Sequence, residues 1–564
     1  MQNCYDDDDR NVVYKDVVII GNGPSGICLS YMLAGNWPYY TGEPHPGDEM
    51  LTARLHFSTR PEECSPASMD DETRNGTSNR WQQSKSDRCE SRSQGRGLAR
   101  STRCKLEHLS SGIEGRVGGR PLALLMDQLQ HPCVDAGLDV PSLLTWKSVD
   151  QHPEHKVIDH VVLGKGQPGG AWQTMDPNVL TISLNRWMSL PDLEIRQWEK
   201  MVESELLRTT NSTEGGPCAF QERLNASKTT SRISVGTVAA YYKDYVRRKG
   251  LEQFFRCGTT VTSVRPARVS NADETDNRYG WLVEGFENKT GKVFRYRCKR
   301  AVLATGTTDL SNQLGILGED SHPEWVTHDL NDLESRLDRL VDQYHDEELA
   351  DRVEPVLIIG AGLSAADAII AARFRGIPVL HAFRDPSSEW SKSKDERIYH
   401  TKFDRLQGLP SSMYPEYHKV YEMMADGGTN YPLYRALQGY SLIGFDGNGG
   451  DSMDVDESQS RVVTLLAPDG QLRVFRVSVV AILIGYKPDL SYLEGNGIGL
   501  GRLPDKPIDR KLNPIDVDNF TYEVVKAPRP GLYALGPLVG DNFVRYILGG
   551  AFGILAHILN TSSS

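Results

Sequence analysis

A chain of 564 residues has room for about two to four domains. With 24% charged and 39% hydrophobic residues, its composition is that of an ordinary globular protein rather than a fibrous or wholly disordered one. The formal net charge of −12 leaves no basic excess to neutralise phosphates, which argues against a dedicated nucleic-acid binder. The nine cysteines include no Cys-x-x-Cys pair, a usage that fits reduced thiols in an intracellular, cytoplasmic setting better than a disulfide framework.

The segment from Met1 to Arg10 is acidic through Asp6 to Asp9 and lacks the features of a signal or transit peptide. Then Val17-Val18-Ile19-Ile20 runs into Gly21-Asn22-Gly23-Pro24-Ser25-Gly26, and Ile27 to Leu33 reads as a helix. A strand, a glycine turn and a helix in that order form a dinucleotide cradle. The first glycine allows the tight turn, the second lets the main chain approach a pyrophosphate, and the third lets helix and strand pack closely. Residues 52–105 are polar and aperiodic and are expected to be a disordered insertion. Val157 to Leu163 reads as a strand leading into Gly164-Lys165-Gly166-Gln167-Pro168-Gly169-Gly170-Ala171-Trp172. After a polar loop at about 209–231, Val235 to Lys249 is an amphipathic helix with Val238, Tyr242 and Tyr245 on one face and Gly250 as its stop signal.

Short strands at 261–264, Trp281 to Phe286 and Val293 to Cys298 suggest an antiparallel meander, followed by a separate apolar strand over 300–306. The second glycine turn follows Val356-Leu357-Ile358-Ile359 as Gly360-Ala361-Gly362-Leu363-Ser364-Ala365, and its helix is rich in alanine. The next strand, Pro378 to Phe383, ends at Arg384. Beyond an acidic loop at 446–460, strands are expected at Val479 to Ile484 and from Gly531. The apolar stretch Phe543 to Leu559 is short for a membrane span and reads as a buried helix.

This order predicts an α/β fold with two dinucleotide-binding, Rossmann-like domains. The second domain (352–485) is inserted into a discontinuous first one (1–51, 106–351 and 486–564) that carries the meander. Gly21, Gly23 and Gly26 are candidates to hold the pyrophosphate of FAD, and Gly360, Gly362 and Ala365 that of NADPH. A guanidinium at Arg384 suits the 2′-phosphate of NADPH, although a solvated loop arginine is the plain alternative. One element is missing. The strand after the first turn normally ends in an acid that binds ribose, but here it ends in Leu163-Gly164-Lys165. Either a residue from elsewhere substitutes, or affinity for FAD is reduced.

Gly169-Gly170-Ala171-Trp172, Ala304-Thr305-Gly306 and Gly362-Leu363-Ser364-Ala365 resemble segments of flavin-containing monooxygenases. Longer segments are similar to the oxidative stress-induced growth inhibitor family: Asn22 to Tyr31, Trp187 to Glu194, Met413 to Val420, Asn513 to Asp518 and Gly540 to Arg545. The resemblance implies a monooxygenase-like flavoprotein that turns over an unknown small molecule with FAD and NADPH. It also implies protein partners in growth, cell-death or cytokinesis control, with the midbody as a location. Gly170 and Trp172 would border the flavin, and Asp541 would meet its ribityl chain, unless Asp541 is simply a helix N-cap. Asn185 and His328 are the catalytic candidates by loose analogy. Trp172, Trp187, Tyr414, Tyr417 and His418 have packing as their default role. The alternative function is a non-catalytic regulatory scaffold that keeps the fold. A disulfide reductase is disfavoured by the absence of a close dithiol.

Overall fold

The computed structural model describes residues 12–59, 98–113, 119–133, 137–138, 140–210, 232–267, 280–343, 353–384, 406–446 and 461–561. The chain divides into two compact units, Met1–Thr307 with Pro488–Ser564, and Thr308–Lys487. The acidic N-terminal run, the centre of the 52–105 insertion and most of the 209–231 and 446–460 loops lie outside the described residues.

In the first unit, β1 (Val12–Ile20) ends at the glycine turn and α1 (Pro24–Leu33) follows it. Val17, Val18 and Ile19 are wholly buried, as expected of a parallel strand covered on both faces. Helix α2 (Glu49–Thr59) corrects the expectation that disorder begins at residue 52. Leu51 and Leu55, one turn apart, are buried, and so are Leu98 and Ala99 at the far end of the insertion. A few well-spaced apolar side chains suffice to dock both ends of an otherwise polar segment.

Helix α3 (Pro121–Gln130) precedes β2 (His160–Gly164), which pairs in parallel with β1. Helix α4 (Val235–Arg248) starts where the Ser234 side chain accepts the N–H of Thr237. Its buried tyrosines satisfy their hydroxyls on backbone: Tyr242 donates to Met188 at 3.1 Å and Tyr245 to Pro191 at 2.8 Å. Strands β3 (Phe255–Cys257), β4 (Thr259–Pro266), β5 (Trp281–Glu287) and β6 (Val293–Leu303) complete the sheet in the order β3-β2-β1-β6-β5-β4. Two separate strands were expected over 293–306, but β6 is continuous. It runs antiparallel to β5 and parallel to β1, so one strand serves both the meander and the parallel core.

The second unit holds β7 (Val326–Thr327), α5 (Leu330–Gln343), β8 (Val356–Ile359), α6 (Leu363–Phe374), β9 (Val379–Phe383), α7 (Pro415–Ala425) and β10 (Tyr434–Gln438). It continues through β11 (Ser441–Asp446), β12 (Val462–Leu466), β13 (Leu472–Arg476) and β14 (Val480–Ile482). The parallel sheet has the order β7-β14-β8-β9-β10, and β11-β12-β13 form an antiparallel sheet. Strand β7 and α5 were expected with the first domain. They fall in the second unit because β7 pairs with β14.

The chain then returns to the first unit, where β15 (Leu532–Ala534) pairs in parallel with the end of β6 and α8 (Ile547–Thr561) is almost wholly buried. Burial of each large side chain, such as Phe552, Ile554 and Leu555, is worth about 2 kcal/mol. That exceeds the ~1 kcal/mol that a glycine costs inside a helix. The α8 glycines allow close approach: a Cβ on Gly549 would lie 2.4 Å from Ala123 Cα of α3. Among the described residues, no helix is long and apolar enough to cross a membrane. Gly549→Ala should push α3 and α8 apart and lower stability by about 1–3 kcal/mol. A shift in the urea midpoint measures this, and an unchanged midpoint would refute the tight contact.

Candidate dinucleotide sites

In the first turn, Gly21 (φ +112°) donates its N–H to Leu163 O at 2.8 Å. A Cβ there would sit 2.3 Å from Ala304 O, at the end of β6. A Cβ on Gly26 would sit 2.1 Å from Gly21 O. Both glycines are therefore required by backbone contact. On Gly23 the nearest atom to such a Cβ is 4.0 Å away, so this side of the turn is clear. Helix α1 has no side-chain cap and no acid in its first turn, which leaves its N-terminal N–H groups and positive dipole end for an anion. Gly170 packs on this turn, its Cβ position 2.9 Å from Gly23 Cα, while the Trp172 ring meets Tyr242 edge-on.

The missing ribose acid has a steric explanation. A Cβ on Gly164 would lie 2.1 Å from Cγ of Asn22, so the Asn22 side chain fills the space beside the strand end. Asn22 Nδ2 donates to Gly166 O at 2.8 Å. The next residue, Lys165, pairs with Asp489 at 3.2 Å. Hydrogen bonds from Ser491 and then Lys165 hold Asp489 below its usual range against the opposing effect of burial. Asp489 is thus a carboxylate brought to the strand end from a distant part of the sequence.

Asp541 is 4% exposed and accepts the Tyr522 hydroxyl on Oδ2 at 2.8 Å. Burial raises its pKa to about 6, while Arg120 and the Tyr522 hydrogen bond pull it down. The N-cap alternative is not realised, because α8 begins only at Ile547 after a 3₁₀ turn over Val544–Tyr546. Asn185 is fully buried at the start of the 3₁₀ turn Asn185–Met188. In the same turn, the Trp187 ring lies 4.7 Å from the Arg545 guanidinium. Arg545 in turn makes 3.0 Å bonds to both oxygens of buried Asp127.

The second turn repeats the first. Gly360 (φ +133°) has its Cβ position 2.4 Å from Leu483 O, and nothing lies within 4 Å of that on Gly362. Helix α6 also lacks a side-chain cap and a first-turn acid. Ala365 is buried, and Arg384 is exposed just past the end of β9. Buried His381 braces the turn, with Nε2 2.6 Å from Gly360 O and Nδ1 2.9 Å from the Tyr434 hydroxyl. The carbonyl only accepts, so Nε2 carries the proton and Nδ1 accepts from Tyr434. His328 stands at the end of β7 with Nε2 2.8 Å from Glu319. Burial opposes ionisation of Glu319. Hydrogen bonds from His328 and the N–H groups of Leu314, Gly315 and Ile316 nevertheless hold it below the usual range. Asn185 belongs to the first unit and His328 to the second. Tyr417 donates to Asp367 on α6 at 2.9 Å, a packing contact, and Tyr414 is buried.

Together these features define an α/β protein with a strand, a glycine turn and a helix in succession in each of two units. No family model matches the chain. It is 35% identical over 558 residues to human oxidative stress-induced growth inhibitor 1, covering 96% of this chain and 94% of the relative. It is 34% identical to human oxidative stress-induced growth inhibitor 2 over 582 residues, covering 97% and 93%. The chain belongs to the oxidative stress-induced growth inhibitor family. Among solved structures, it is similar to a bacillithiol disulfide reductase from Bacillus cereus (TM-score 0.49, 14% identity, 97% of this chain and 100% of that one). An ornithine hydroxylase from Pseudomonas aeruginosa is also similar (TM-score 0.48, 12% identity, 98% and 100%).

Burial lowers the pKa of His381 to about 4. Between its ordinary value of 6.5 and 4, the unfolded chain takes up a proton that the folded chain refuses. Stability present above pH 6.5 is therefore lost as the pH falls, by about 3 kcal/mol for this group. His160, also lowered to about 4 by burial, acts in the same direction in the first unit. Denaturation curves from pH 7 to 4.5 should show this decline, with a shallower slope for His381→Gln. An identical slope would refute it.

Proposed function

We propose that the chain is an FAD- and NADPH-dependent oxidoreductase of monooxygenase type that acts in the control of cell growth. The observation that supports this best is shared by both turns. Gly21 and Gly360 are wedged against the end of a neighbouring strand, while the sides of Gly23 and Gly362 stay clear for a phosphate. When bound, FAD and NADPH supply hydride transfer and oxygen activation.

On this reading the chain binds and orients. The N–H groups at the starts of α1 and α6 take the two pyrophosphates. Asp541 accepts a ribityl hydroxyl, and Arg384 grips the 2′-phosphate. Gly170 and Trp172 border the flavin, and the rings of Trp172 and Trp187 exclude water from its face. Asn185, whose amide hydrogen-bonds but does not titrate, and His328, oriented by Glu319, are the catalytic candidates. The relatives' names motivate the link to growth control, through a small-molecule substrate or a protein partner.

Purified protein should be yellow, or become so on reconstitution with FAD, and should oxidise NADPH. A colourless protein that resists reconstitution would favour the regulatory scaffold, in line with the loss of the strand-end acid. Arg384→Ala should weaken NADPH binding about tenfold more than NADH binding, the worth of one charge-assisted contact. Equal losses for both nucleotides, measured by titration, would remove the phosphate assignment.

A further inference from the structure

Tyr522 is held in a conformation that its sequence does not favour. It is a non-glycine residue with φ +60°, and it is fully buried. Its N–H donates to Asp518 O at 3.0 Å, and its own carbonyl accepts from Ala534 N at 3.2 Å, so the backbone is pinned on both sides. The ring lies against the glycine face of α8. A Cβ on Gly550 would be 2.9 Å from Tyr522 Cε1, and one on Gly553 would be 3.2 Å from Cδ2. The Arg120 guanidinium lies 5.7 Å from the ring centroid. That cation is anchored by 2.9 Å bonds to Asn519 Oδ1 and Val539 O. Strain maintained by so many contacts marks a residue whose placement serves a site.

The end point of this arrangement is the hydroxyl, which donates to Asp541 Oδ2 at 2.8 Å. Among the described residues, no hydrogen bond is made to Asp541 Oδ1. The charged and titratable groups acting on this carboxyl are Arg120, Tyr522 and no acid. Nearby Arg545 is committed to Asp127. One oxygen is thus fixed by the protein and the other is left as an acceptor for a ligand hydroxyl.

We propose that Tyr522 is the positioning residue of the first dinucleotide site, aiming the Asp541 carboxyl so that Oδ1 receives a hydroxyl of a polyol chain such as the ribityl group of FAD. This rests on the assignment of Asp541 to FAD binding. Loss of the donor removes a hydrogen bond that only the carboxylate needs, so the titration of Asp541 moves upward.

The test uses the full chain with Tyr522→Phe, Asp541→Asn and the double variant. In apoprotein, the Tm gap between parent and Tyr522→Phe should be small at pH 5 and widen towards pH 8. That widening should disappear in the Asp541→Asn background, whose amide does not titrate. A gap that is the same at every pH, or a widening that persists in that background, means that the hydroxyl does not act through the Asp541 carboxylate and overturns the proposal. With FAD itself as the probe, titrated by quenching of flavin fluorescence at pH 8, Tyr522→Phe should raise Kd about five- to tenfold, with a smaller effect at pH 5.5. An unchanged Kd in a variant whose parent binds FAD also overturns the proposal. If the parent binds no FAD, the cofactor assignment fails instead, and the apoprotein arm alone decides whether Tyr522 acts through Asp541.

Discussion

Around the start of α1, four distant parts of the chain meet at distances that admit no side chain. The Ala304 carbonyl abuts Gly21, Gly170 abuts Gly23, and the Cβ position of Gly536 lies 2.5 Å from Ser25 Oγ. Close backbone approach is what brings the end of β6, the Gly-Gly turn and the segment before α8 to one helix terminus. At Gly21 and Gly170 an added methyl would collide with backbone, so no rotamer change could relieve it. The parallel sheet, the burial of α8 against α1 and the position of Asp541 all depend on this constraint.

The same constraint accounts for the departure at β2. A strand-end acid needs a Cβ at position 164, and the Asn22 amide occupies that point. Asn22 lies between the first two glycines of the turn, where its side chain turns back to Gly166 and Cys257 instead of solvent. The turn and the strand end are thus sterically coupled, and an acid at 164 would require a smaller residue at 22. Acidic character reaches the area through Asp489, paired with the lysine next to the vacated position.

Local features were legible in the sequence and long-range ones were not. The two strand–turn–helix segments, helix α4 with its Gly250 stop, and the buried C-terminal helix all declare themselves within about fifteen residues through periodicity and caps. Continuity of β6 was hidden because Lys299 and Arg300 interrupt its apolar pattern. Yet the ladder with β1 continues on both sides of that break. Helix α2 was hidden because its apolar residues do not gather on one face: Leu51 and Leu55 are buried, whereas Met50 and Phe57 are exposed. Glu319, Asp489, Arg120 and Tyr522 gave no local signal. Each acquires its partner from far along the chain or through a backbone conformation that no side-chain pattern encodes. Tyr434 and His381 are likewise joined across 53 positions.

Electrostatics sharpen the question of how a chain of net charge −12 would accept two polyanions. Its overall field is unfavourable, but at physiological ionic strength charges are screened beyond about 8 Å. The local arrangement therefore decides, and it is consistent in both units. Neither α1 nor α6 carries an acid in its first turn, and neither spends its terminal N–H groups on a side-chain cap. Acids near the first turn are offset: Asp489 by Lys165, and Asp541 by Arg120. In the second unit, burial keeps His381 neutral, so its contact with Gly360 fixes geometry and adds no charge. Short-range donors on a glycine-shaped backbone, rather than a basic surface, are thus what both turns offer an anion.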